Sequence, residues 1–152
     1  MNNHIWRCTE LQSLDLPLKA QQFIAIMNIN TDSLKFLLLE SDTHGNFVKH
    51  FEGNKVDAVY SKTDSAIYFF EYVKVGTAIH ELTHYYLGNA DFDTKTIGEA
   101  FIKLHGRQIL SNYASISAIN SHWDEVICEI VSVYGRRGQF GKIKELFNCQ
   151  QI

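Results

Sequence analysis

The sequence is poor in the features that announce a partner or a compartment. Its 152 residues carry 14 Lys and Arg against 17 Asp and Glu, a formal net charge of −3, and the basic residues form no run. Binding nucleic acid needs a basic field, so this balance argues against a nucleic-acid partner for the chain by itself. There are only three cysteines, Cys8, Cys128 and Cys149, widely separated and in no C-x-x-C arrangement. Neither a disulfide framework nor a thiolate zinc site is indicated, and a reducing compartment suits them best. No stretch approaches the roughly 18 consecutive apolar residues of a membrane span. The polar start, with Arg7 and Glu10, lacks the apolar core of a secretory leader. A cytoplasmic protein with no membrane partner is expected, and delivery into another cell by a route without a cleaved signal would leave the same composition.

What is present suffices for a folded body. With 45% hydrophobic residues, a chain of this length buries about two thirds of its unfolded surface, and a single domain spanning 1–152 is expected. The only proline, Pro17, is placed to open a helix over 18–29, because its missing N–H costs nothing in the first turn. From Leu34 the pattern becomes β-rich: strands over 34–40, 47–51, 56–61 and 66–72, separated by polar turns, read as an antiparallel meander. His44 and His50 fall in it as surface residues. The last strand, Ala66 to Tyr72, is either a sheet edge that a peptide could pair with or a buried central strand, since its run is almost wholly apolar.

The densest chemistry follows at Thr77-Ala78-Ile79-His80-Glu81-Leu82-Thr83-His84-Tyr85-Tyr86. His80 and His84 stand at i and i+4, so on a helix their imidazoles lie on one face about 6 Å apart and can hold one Zn²⁺. Glu81 lies about 100° further round, where its carboxylate can act on a metal-activated water as general base without ligating the metal. Val75, Ala78, Ile79, Leu82, Tyr85 and Tyr86 fall on the opposite face and would be buried. Gly88-Asn89 ends the helix. Leu87 and Ala90 stand where a metzincin has its glycine and third histidine, so that class is excluded.

Further ligands must come from downstream. Thr96-Ile97-Gly98-Glu99 reads as a capping box, which spends Glu99 on its own helix end, and His105 is a weak candidate. Ser121 with Asp124 reads as a second cap, opening a helix from Asp124 to Tyr134 that buries Trp123, Val126, Ile127, Ile130 and Tyr134. Glu125 and Glu129 share its other face at i and i+4, where two like charges repel by a few tenths of a kcal/mol unless a cation lies beside them. Arg136 and Arg137 suit the helix C-terminus as cations. A last short helix covers 142–147.

This combination resembles the gluzincin branch of the small zincin metallopeptidases. The stretch Asp124-Glu125-Val126-Ile127-Cys128-Glu129 is similar to the E-E-x-x-A-E helix of metallopeptidase domains in antirestriction-type plasmid proteins and, more loosely, in ImmA/IrrE regulators. The matched residues cover about 77–86 and 124–132. The resemblance implies that Glu125 is the third zinc ligand and that Glu129 supports a ligating histidine, although thermolysin-like members have Asp at that second place. It further implies an α+β, zincin-like fold: a twisted antiparallel sheet, an H-E-x-x-H helix and a C-terminal helical half. The expected activity is that of a zinc-dependent endopeptidase acting on a protein or peptide substrate, of regulatory or toxin and effector type. A non-proteolytic interaction module on the same fold is the alternative. His122, Tyr72 and Tyr85 are candidates for stabilising the oxyanion.

Overall fold

The computed structural model describes residues 6–41, 50–51, 54–55, 57–106 and 122–149. The chain starts with β1 (Trp6–Leu11), a 3₁₀ turn (Ser13–Asp15) and α1 (Leu18–Ile26). Pro17 is the N-cap of α1, as its fixed φ favours, and the helix ends three residues before the expected Ile29. Next come β2 (Lys35–Ser41), a short hairpin of β3 (His50–Phe51) and β4 (Asn54–Lys55), then β5 (Ala58–Ser61) and β6 (Ala66–Phe70). Four helices complete the order: α2 (Val75–Gly88), α3 (Thr94–His105), α4 (Trp123–Arg136) and α5 (Phe140–Asn148).

The architecture is α+β, but the expected antiparallel meander is replaced by a mixed sheet of order β1-β2-β6-β5. β1 pairs antiparallel with β2, β2 runs parallel to β6, and β6 pairs antiparallel with β5. β2 pairs with β1 and β6, and the described part of the 47–51 segment, β3, pairs with β4. The connection from Ser41 to Ala66 is long enough for the crossover that a parallel pair requires. β6 is central, the second of the two alternatives its apolar run left open: Ala66, Ile67, Phe69 and Phe70 are all buried. The expected turn at Asn54-Lys55 is instead the second strand of the β3–β4 hairpin. His44, Phe47, Val48 and Val56 lie outside the described residues, as does the side chain of His50.

Glu71 takes a positive φ of 75° while its N–H still bonds Leu39 O at 2.8 Å, so the chain leaves the β2–β6 ladder and turns at once toward α2. α2 buries Ala78, Ile79 and Leu82 completely against a core that includes Phe23 of α1, Phe69 of β6, Phe101 of α3, and Ile127 and Ile130 of α4. α2 and α4 pack closely because small residues lie between them. A Cβ on Gly135 would stand 2.7 Å from Ile79 Cδ1. This close approach brings the first turns of α4 over the histidine face of α2. Among the described residues no helix is long and apolar enough to cross a membrane.

Two expected helix starts are corrected. Asp93, not Thr96, caps α3, accepting from Thr96 N at 3.1 Å, and Glu99 lies within the helix near Lys95 at 3.9 Å. α4 has His122 at its N-cap, and Asp124 accepts from Thr94 Oγ1 at 2.7 Å, tying α4 to α3; Ser121 lies outside the described residues. In both places an Asx or hydroxyl group had competing partners nearby, and sequence order alone does not choose between them. α4 also runs two residues past Tyr134, and α5 begins at Phe140, two before Lys142.

Candidate metal centre

The two histidines of α2 lie on one face, half-buried, with ring centroids 5.1 Å apart. Glu125 reaches them both from the first turn of α4. Its Oε1 is 2.7 Å from His84 Nε2 and its Oε2 is 3.1 Å from His80 Nε2. The hydrogen bonds from the two imidazoles hold the Glu125 carboxyl far below the usual carboxylate range. For His84, burial alone would favour the neutral ring, but the bond to Glu125 and its charge outweigh burial and raise the imidazole pKa. Glu129, one turn further along α4, puts Oε2 3.8 Å from His80 Nδ1. That is too long for a hydrogen bond, yet Nδ1 is the nitrogen through which an outer carboxylate steadies a metal-ligating ring.

The donor set suits zinc. A tetrahedral site with Zn–N and Zn–O bonds near 2.0–2.1 Å separates its ligand atoms by roughly 3.3 Å. The N···O separations of 2.7 and 3.1 Å are therefore contracted around direct hydrogen bonds, and opening by a few tenths of an ångström would admit an ion. Two imidazole nitrogens and one carboxylate also form the usual donor class of catalytic zinc.

A fourth potential donor, Cys128, comes to the same place. The Cys128 sulfur and a nitrogen of each histidine all lie within 4.8 Å of one another. The thiol is fully buried, and burial, reinforced by the surrounding carboxylates with Glu125 foremost, raises its pKa well above the ordinary thiol value. A shared tetrahedral zinc would need N···S near 3.6 Å. Glu125 is the ionised donor already bonded to both rings, and Cys128 a fourth group within reach.

Glu81 is 9% exposed and opens on the same side as His80. Burial raises its carboxyl pKa against the opposing pull of His80 and His84, and a backbone hydrogen bond from Tyr60 of β5 acts in the same lowering sense as the histidines. His80, Glu81, Glu125 and Glu129 line one cavity of about 660 Å³ that extends past Ser132 to Arg136.

No known protein family, curated protein or solved structure matches the chain. The site thus rests on its own geometry.

The remaining candidates lie elsewhere. His105 Nε2 is bound to Glu145 Oε1 at 2.6 Å, linking α3 to α5. Tyr85 OH donates to Asn30 O at 2.8 Å, Tyr72 is exposed with Lys74 Nζ 5.3 Å from its ring centroid, and His122 caps α4 without a side-chain cap bond. None of the three lines the cavity. In the sequence, Cys128 has no second cysteine at ligand spacing to mark it as a donor. The usable signal was its place between Glu125 and Glu129 on a helix that had to face the histidines.

Proposed function

We propose that the chain is a zinc-dependent peptidase of zincin-like build. The observation that carries this is the convergence of His80 Nε2 and His84 Nε2 on one carboxylate, Glu125, with the buried Glu81 lining the same cavity as His80 and Glu125. His80, His84 and Glu125 would hold the metal, and Glu129 would steady the His80 ring through Nδ1. Zinc bound there supplies Lewis acidity and lowers the pKa of water to near neutrality. Glu81 does the proton work. Its burial raises the proton affinity of the carboxylate, so it can take a proton from attacking water and give it to the departing amine nitrogen. The substrate class is an unfolded or extended protein segment.

Cys128 favours a second reading. If the thiol joins His80, His84 and Glu125, all four positions are filled by protein, which is the pattern of structural zinc, and the chain is then a metal-stabilised interaction module. Cobalt substitution separates the two. A thiolate-to-cobalt charge-transfer band in the near ultraviolet that disappears in Cys128→Ala supports the closed site. Its absence, together with cleavage of an unfolded protein by the zinc-loaded chain and none by Glu81→Gln, supports the peptidase. Zinc-loaded protein that cleaves no unfolded substrate would overturn it.

A further inference from the structure

We infer that Arg136 determines specificity by binding a carboxylate of the peptide; the inference rests on the peptidase reading and deepens it. Glu125, Glu129, Ser132 and Arg136 stand at i, i+4, i+7 and i+11 of α4, a single stripe on an α-helix, and all four line the cavity that contains His80 and Glu81. The stripe is acidic at the histidine end and cationic at the other.

The arginine is anchored there. Its stem lies across Gly76 in the first turn of α2, so closely that a Cβ at that glycine would stand 2.5 Å from Arg136 Cδ. Ser132 Oγ donates to Gly76 O at 2.8 Å one turn earlier on α4, joining the two helices at the same point. An arginine at a helix C-terminus is ordinarily explained by the dipole. That explanation is insufficient here. The Arg136 carbonyl is already capped by Lys19 Nζ at 2.9 Å, and the adjacent Arg137 would serve the dipole equally well but does not line the cavity.

Charge points to the ligand. The cavity's other cation, Lys74, is paired with Asp57 at 3.2 Å, whereas no carboxylate pairs with the Arg136 guanidinium among the described residues. A planar guanidinium, here exposed with its stem against Gly76, suits bidentate binding of a carboxylate. Glu81, Glu125 and Glu129 gather negative charge at the histidine end, so along this stripe the unpaired Arg136 is the place that favours a peptide carboxylate. Along α4 the advance to Arg136 is about 10 Å from Glu129 and about 16 Å from Glu125, which is roughly three to five residues of extended peptide. The preferred acid therefore lies about three to five residues from the bond held at His80 and Glu81.

Binding can be read without turnover. Short labelled peptides with one internal Glu, or Gln at the same place, each with a free or an amidated C-terminus, are titrated by fluorescence anisotropy into zinc-loaded protein carrying Glu81→Gln. The Glu peptide should bind about 10-fold tighter than its Gln twin, as a charge-assisted bidentate pair would give. Arg136→Gln should bring the twins within about twofold, and Arg136→Glu should reverse their order. A preference that follows the free C-terminus rather than the internal Glu assigns the same guanidinium to a terminal carboxylate. Equal binding of all peptides, no binding of any, or a preference that survives Arg136→Gln overturns the inference. Failure of the peptidase reading looks different: the protein with Glu81 intact cleaves nothing, while the Arg136-dependent preference persists.

Discussion

Replacing Glu125 by alanine tests the site in two states at once. Without metal, the carboxylate accepts hydrogen bonds from His80 at 3.1 Å and His84 at 2.7 Å. A hydrogen bond to a charged group contributes about 1.5–3 kcal/mol when buried, but the Glu125 side chain is 47% exposed, so solvent screening reduces the pair to about 1–2 kcal/mol in total. Glu125→Ala should therefore lower the metal-free midpoint by roughly 2–8 °C, at about 2–4 °C per kcal/mol for a chain of this size. Zinc at a hundredfold excess over its dissociation constant adds about 2.7 kcal/mol, which is roughly 5–11 °C on the same scale.

Thermal melts with and without zinc separate these effects. The parent should gain the zinc shift, Glu125→Ala should lose most of it, and Cys128→Ala should keep it, because burial holds the thiol in its protonated form. The shift should also shrink as pH falls, beginning above the ordinary imidazole value because the His84 pKa is raised and its proton competes with the metal. If Cys128→Ala abolishes the zinc shift while Glu125→Ala retains it, the third ligand is the thiol and the assignment above is wrong.

Three further outcomes are expected. Glu81→Gln should stabilise the metal-free protein near neutral pH by more than the ~0.5 kcal/mol of a neutral surface change. The folded pKa of Glu81 is raised by burial, so its contribution is fully present below the unfolded value and lost as pH rises through the folded one; a melt difference that fails to vanish in acid would refute this. Glu129→Ala should weaken zinc affinity by roughly 10- to 100-fold, whereas Asp124→Ala, which loses only its bond to Thr94, should leave affinity unchanged in a calorimetric titration. Gly98→Ala should cost about 1–3 kcal/mol, since its Cβ would meet the rigid Trp123 ring at 2.5 Å; an unchanged denaturation midpoint would show that the α3–α4 contact yields easily.

What could be read from the sequence follows the range of each interaction. His80, Glu81 and His84 are fixed relative to one another by a single helix turn, and their face and burial follow from spacing. The same holds for Glu125 and Glu129. The sheet was less legible, because its strand pairing depends on partners far apart in sequence: β2 and β6 are joined by a connection whose length permits either sense, and the missed β1 strand supplies the other neighbour. Cys128 and Arg136 were discounted for a related reason. Each has an adequate local explanation, as a core thiol and as a helix-end cation, and each acquires another only across the α2–α4 contact. That contact also changes the argument from repulsion. Two carboxylates at i and i+4 called for a cation beside them, and even without an ion the imidazoles meet that need: both bond Glu125, and His80 turns its other nitrogen toward Glu129. The acidic pair is thus evidence for facing histidines first and for a metal only through them. Zinc titration of the Glu125 and Cys128 variants, rather than the motif alone, must therefore carry the assignment.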